Sequence, residues 1–400
     1  MYRVRPVRFL CAEAYAVLPF RIFFVFAALD AIAAIAPWLP RLLGYATSDV
    51  AGVPLAVWHR DELLLGMMPA VLAGFVLTAL PRWTRCAPAS TRAVVALAGL
   101  WLAGRVAHVV SAESIHGGAL LPAIAFLFIA ALSLIAARQV IAGRAWREIK
   151  VVLLLAAFAA ATGFQSLYPY AAAAESATAL RLRLAIVLAL VVVLGGRIVP
   201  ALTAAWLEAK GQAAIKVRGN WFEPTAAVAV IGALLSWAVA PEAELSALAS
   251  GLACCAQAGR LARWQGWRAA RSAPILALHV GYGWIPVGFA LHAAAVFWPS
   301  AVSQAAAVHA WGIGAIGLMS IAVMASMIRR HARTPFAASA SLVLSLACAA
   351  LAAPARIVAE VTADSSHAWL LISACSWIAA FALFLFAFRK LLLRPSGSCK

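Results

Sequence analysis

Apolar runs of about twenty residues recur from one end of this 400-residue chain to the other. A helix rises about 1.5 Å per residue, so each run can cross the roughly 30 Å of hydrocarbon in a bilayer. Twelve are legible: 17–38, 62–82, 91–111, 117–141, 148–169, 179–203, 222–240, 244–262, 272–297, 302–328, 335–355 and 367–391. Lipid offers no partner to a bare peptide group, so runs of this length must be helices. Composition agrees: the chain is 65% hydrophobic and 12% charged, whereas a soluble domain carries about 25% charged residues. The expected fold is an all-α polytopic membrane helix bundle of about twelve transmembrane helices, one integral-membrane domain over 1–400. The fifth run, around Phe158, and the eighth, around Cys254, carry the weakest apolar signal.

A net charge of +18 invites a nucleic-acid reading, but position excludes it. The basic residues form no stripe on a polar domain and no nucleic-acid-binding motif is present. They sit in alternate loops: Arg3, Arg5 and Arg8; Arg82, Arg85 and Arg92; Arg138, Arg144, Arg147 and Lys150; Lys210, Lys216 and Arg218; Arg260, Arg263, Arg268 and Arg271; Arg329, Arg330 and Arg333; Arg389, Lys390, Arg394 and Lys400. The loops after runs seven and nine carry none. The positive-inside rule then places both termini in the cytoplasm. Arg3, Arg5 and Arg8 lead straight into the first span without a convincing cleavage site, so no cleavable signal is expected. The seven cysteines make no C-x-x-C pair, so neither a zinc site nor a disulfide framework is indicated.

Within this frame the block from Trp58 to Thr84 carries the most chemistry. His59, Asp61 and Glu62 stand at the mouth of the second span, and Gly66, Ala70, Gly74 and Thr78 form a small-residue ridge along it. Such a ridge lets another helix approach closely in lipid. Polar groups at the end of a tightly packed span are functional candidates by default. The other histidines divide by depth. His108, His116, His292, His309 and His367 fall toward the outer face with His59, whereas His279 lies near the inner leaflet and His331 in a basic inner loop. His59, His279 and His309 are the candidates for ligation, because an imidazole without a partner is costly in lipid and imidazole suits iron and copper. His59, His108 and His309 would meet if spans two, three and ten pack together. Among the charges, Glu62 is expected to pair with Arg105 and Arg197 with Glu223, while Asp30 has no evident partner. Pro69 and Pro286 interrupt spans two and nine and free backbone carbonyls.

Five blocks resemble the NnrS family, in order and over most of the chain. They are Pro19-Phe20-Arg21-Ile22-Phe23-Phe24, Trp58 through Thr84, Gly195 through Thr203, Leu278 through Gly288, and His309 through Met324. Asp61 stands where that family's second block has another histidine, Arg82 where it has asparagine, and Ala325 where it often has arginine. The resemblance implies a multi-pass protein of the bacterial inner membrane that contains haem and copper and is linked to nitric oxide metabolism and nitrosative stress. It implies His59, His279 and His309 as haem or metal ligands, with Arg21 and Arg197 as partners of haem propionates or as structural ion pairs. The expected partners are the lipid bilayer and nitric oxide or a nitrosyl species, with no nucleic acid. The alternative is a twelve-span secondary transporter, to which the broken helices and intramembrane charges also point. A haem–copper oxidase core fits worst, since it needs an adjacent His-His pair and none occurs.

Overall fold

The computed structural model describes residues 18–110, 117–167, 173–213, 215, 221–334, 336–361 and 366–393. Among these, twelve helices run up and down: α1 (Pro19–Leu42), α2 (Leu55–Thr84), α3 (Thr91–Val110), α4 (Gly117–Ala142), α5 (Trp146–Leu167), α6 (Ala173–Ala209), α7 (Phe222–Val239), α8 (Glu244–Arg263), α9 (Ala273–Phe297), α10 (Gln304–His331), α11 (Ala340–Val361) and α12 (Ser366–Leu392). Eleven of them are long and apolar enough to cross a membrane, so the chain is a multi-pass membrane bundle. The amino-terminal arm with Arg3, Arg5 and Arg8, together with His116, Lys216, Arg218, Arg394 and Lys400, lies outside the described residues.

The exception in apolarity is α8, the eighth expected run. It is a 20-residue helix whose buried face carries Ser246, Ser250, Gln257 and Arg260. Those residues recur at helical spacing and point into the bundle, against α7 and α9. Ser250 Oγ bonds His292, Gln257 Nε2 donates to Ala226 O at 3.2 Å, and Arg260 Nε donates to Glu223 Oε2 at 2.9 Å. Average hydropathy undervalues such a helix, because its polar face never meets lipid. The bundle's outer surface is apolar instead: Leu29, Val106, Leu134, Leu153 and Leu252 are all exposed, as a lipid-facing surface requires.

Two helices occupy the centre. The most apolar windows of α2 and α10 are 83% and 78% buried, while those of the other apolar helices are 33–50% buried. Their sequences explain the placement. On α2, a side chain at Gly74 would strike the rings of Phe24 and the Cβ of Phe23, so the expected small ridge is the face on which α1 lies. On α10, a side chain at Gly314 would meet Trp284 and one at Gly317 would meet Trp377. The first and last helices close the bundle, with Trp377 Nε1 of α12 donating to Ala31 O of α1 at 2.8 Å.

Both central helices break regular α geometry at the same place. Each begins as an α-helix that ends near a histidine and continues as a π-helical segment: Glu62–Met67 after His59, and Ala310–Gly317 directly after His309. In α2 the cause is visible. Pro69 has no N–H to offer the carbonyl four residues back, and that carbonyl, Leu65 O, accepts from Arg105 Nη2 at 3.1 Å instead. Gly66 O accepts from Trp101 Nε1 at 2.9 Å. Such π-helical segments are rare and frequently mark functional sites.

Candidate functional site

His59 and His309 line one cavity. It has a volume of about 420 Å³ and is walled by Leu63, Met67, Leu184, Trp237, Ile313 and Trp377 among others. A smaller cavity of about 200 Å³ meets it, sharing His59, Leu63, His309, Ile313 and Trp377 and adding Arg356. The larger volume lies in the range of small-molecule and cofactor sites, roughly 300–1,000 Å³. The two π-helical segments supply Leu63, Leu64, Met67, Gly312, Ile313 and Ile316 to its walls.

The two rings are held differently. The Nδ1 of His309 lies 2.8 Å from Ala305 O. A carbonyl only accepts, so Nδ1 carries the proton and Nε2 of a neutral ring keeps its lone pair. A chain of bonds fixes this helix start. Ser303 Oγ caps it by accepting from Ala306 N at 3.2 Å and donates to Glu360 Oε2 at 3.1 Å, and Glu360 Oε1 pairs with Arg356 at 2.6 Å. The Nδ1 of His59 is buried with no hydrogen-bond partner in the protein, a situation that costs about 1–3 kcal/mol.

Behind the π-helical segment of α2, on the side away from the cavity, lies a buried ionic cluster. Glu62 pairs with Arg105 at 2.7 Å, as the sequence indicates, and also with His108. Asp30 finds a partner too: its Oδ1 lies 3.7 Å from Arg105. A side chain at Gly66 would collide with Asp30 and Arg105, so glycine there is what lets the cluster press against the helix backbone. His108 stacks on Trp58, with centroids 4.7 Å apart and planes at 11°. It is spent on this cluster and does not line the cavity with His59 and His309. The cluster clamps the segment that carries His59.

The remaining candidates lie elsewhere. His279 Nε2 is 2.9 Å from Thr203 Oγ1, whose own proton goes to Val199 O at 2.7 Å, so the imidazole donates. Its Nδ1 side faces Gly266, where a Cβ would collide with the ring. This site is near the start of α9, at the level of Met319 on α10, since Gly281 packs on Met319; His309 is ten residues back along α10, on the order of 15 Å away. Arg197 pairs with Glu148 at 2.5 Å and lies 4.1 Å over the Trp83 ring. Trp83 is 24 residues beyond His59 on α2, about 36 Å along the axis, so Arg197 is at the far end of the bundle. Arg21 occupies the first turn of α1, whereas Ile35, Trp38 and Leu42 at the other end of that helix line the smaller cavity. The expected Arg197–Glu223 pair is also replaced: Glu223 takes Arg260 from α8, its antiparallel neighbour.

The cations that do border the cavities are Arg60, Arg181 and Arg356. Arg60 is neutralised by Asp61 at 2.7 Å. Arg181 is held by Ala238 O and Thr178 Oγ1 and pairs with no carboxylate among the described residues. None of these arginines, nor Trp237 or Trp377, stood out in the sequence, where they are ordinary members of apolar helices. Only the i,i+4 spacing of Arg356 and Glu360 offered a signal.

The family model described as NnrS protein matches residues 14–396. This chain belongs to the NnrS family. A search of curated proteins returned no match. The five NnrS-like blocks acquire positions in the fold. The blocks of α2 and α10 build the cavity, while those of α6 and α9 meet at the opposite end, where a side chain at Gly195 would press on Tyr282 and Met319. Among the described residues no three His, Cys, Asp or Glu side chains converge as a metal cage would need. The donors bordering the cavity are the imidazoles of His59 and His309 and the thioethers of Met67 and Met68, side chains of the kind that would hold a haem iron. They suit a protein-caged metal ion less, because the rest of the ion's shell would have to come from elsewhere.

Proposed function

We propose that this NnrS family member holds haem in the cavity between His59 and His309 and there meets nitric oxide or a nitrosyl species, so that the cell tolerates nitrosative stress. The observation that carries the reading is a pair of imidazoles facing one apolar hollow, one with an unpartnered buried nitrogen and the other with its open nitrogen set by a backbone bond. Ala305 O orients the His309 ring and raises its basicity, as second-shell acceptors do for ligating histidines. Arg181, which pairs with no carboxylate among the described residues, offers a cation to the carboxylates of the macrocycle, whereas Arg356 is neutralised by Glu360. The apolar walls exclude water and admit a small apolar gas. Haem iron supplies the binding centre for nitric oxide when bound. Copper fits the same imidazoles by ligand type, with the rest of its shell drawn from outside the protein. The positive-inside rule puts the cavity at the outer face of the bacterial inner membrane and both termini in the cytoplasm.

A second reading, an ion-coupled transporter, is favoured by the Asp30–Glu62–Arg105–His108 cluster, since buried charges inside a membrane often mark proton paths. One preparation separates the two. Detergent-purified protein is examined for haem absorbance and copper content, and then titrated with nitric oxide. A haem band that shifts with nitric oxide supports the first reading. Metal-free, colourless protein that accumulates a solute in vesicles under a proton gradient would replace it with the second.

A further inference from the structure

The cavity at His59 and His309 is continued along the bundle by a second void. Both lie between α2, α6 and α10, which run in one direction as alternate members of an up-and-down bundle. The cavity takes Leu63, Leu184 and Ile316 from these helices. The void takes Val71, Leu190 and Val323, each further along the same helix. Met68 lines both spaces. We propose that this seam is a passage by which a small apolar gas travels between the membrane interior and the cavity. The proposal rests on reading the cavity as the place where nitric oxide is met.

Size and polarity select what can travel there. The void has a volume of about 50 Å³, far below the roughly 300–1,000 Å³ of cofactor sites. A diatomic gas fits it. Water is disfavoured, because a buried water needs several polar partners. Among the lining residues only Ser320 has a polar side-chain group, and its hydroxyl is directed to Met68 Sδ at 4.0 Å. Apolar cavities of this kind stay dry and accept xenon.

The void also lies where such a gas is most plentiful. Val323 is fourteen residues beyond His309 on α10, about 20 Å along the axis, and so well within the roughly 30 Å hydrocarbon layer. Val191, Ile198 and Val323 are half-buried and form its accessible edge, while its other lining residues are buried. Small apolar gases concentrate in hydrocarbon rather than in water. The main cavity, by contrast, is bordered by Arg60 and Arg181, groups that hold water.

Met68 is the barrier between the two spaces. It is buried and stands where the π-helical segment Glu62–Met67 returns to α-helix. Its unbranched side chain has several rotatable bonds, and its sulfur is a weak acceptor. Swinging it aside therefore breaks one weak contact, with Ser320.

The test has two arms. In the first, crystals of the full chain without cofactor are pressurised with xenon, and anomalous scattering is expected in the void as well as in the cavity. In the second, haem-loaded protein is followed by stopped flow and flash photolysis with nitric oxide. Val71→Phe, which fills the void, should slow association about tenfold, an added barrier of about 1.4 kcal/mol. Escape should slow equally, because a passage alters entry and exit alike and leaves affinity and haem content unchanged. Leu190→Ala, which widens the void, should speed both; it carries the test if circular dichroism or elution volume shows that Val71→Phe misfolds. A void without xenon overturns the proposal, as do variants with the parent's rates. Colourless protein with xenon in the void refutes the haem reading and leaves the passage standing, whereas haem-loaded protein with an empty void refutes the passage alone.

Discussion

His309 and His279 are the same residue on neighbouring helices, yet the two ends of the bundle treat them in opposite ways. Around His279, near the start of α9, most polar groups answer one another, Trp264 Nε1 and Ser272 Oγ excepted. His279 donates to Thr203; Tyr282 Oη accepts from Arg260 at 2.8 Å and donates to Gln257 at 2.6 Å. Glycines at 195, 196, 266 and 281 let these groups approach closely. At the other end the imidazoles face hollow space, with His59 Nδ1 left without a partner. A buried polar group that is unsatisfied costs stability. The His279 ring is thus tied into helix packing, whereas His59 and His309 border an open hollow.

The contrast can be broken most severely at the clamp behind the cavity. Glu62→Ala takes from Arg105 and His108 the carboxylate they share, leaving Arg105 only Asp30 at 3.7 Å, and losing one member of a buried ion pair costs about 3–5 kcal/mol. Chemical denaturation in detergent should show that loss together with weaker haem binding, because the π-helical segment that follows His59 loses its anchor. Gly66→Leu, which drives a side chain into Asp30 and Arg105, should cost about 1–3 kcal/mol by overpacking.

At the closed end, Tyr282→Phe removes one hydroxyl from the Arg260–Gln257 network and should cost about 1–3 kcal/mol without changing haem content; thermal unfolding and absorbance read the two quantities separately. A loss of haem equal to that caused by a cavity mutation would mean that the two ends are not independent.

The smallest effect carries a sign that sharpens the comparison. In cofactor-free protein, His59→Leu should stabilise by about 1 kcal/mol, since an apolar side chain replaces an unsatisfied buried nitrogen. His279→Leu should destabilise, since Thr203 loses its partner. Denaturation midpoints of the two variants moving in the same direction would remove the basis for treating the ends as different.

Much of the architecture is legible in the chain because hydropathy averages over whole spans. The α8 helix is hard to see by that route: its serines, Gln257 and Arg260 lower the average, and only their spacing shows that they share one inward face. The site is less legible for a geometric reason. His59, His279 and His309 are equally conspicuous in sequence, but depth separates His279 from the others. Depth follows from which end of each helix a residue occupies. Arg21 and Arg197 attract attention as charges inside spans, yet both sit at the far end, where Arg197 serves Glu148 and Trp83. Arg181 and Arg356 reach the cavity from helices whose packing order no local pattern encodes. Nor does the ridge on α2 announce a π-helical segment; that depends on Arg105 and Trp101 arriving from α3 to take the freed carbonyls.

The most direct measurement is haem titrated into cofactor-free protein and followed by visible absorbance, for the parent chain and for His59→Ala, His309→Ala and His279→Ala side by side. The account predicts saturable binding that the first two variants lose and the third retains. Retention by the two cavity variants with loss in His279→Ala would contradict it.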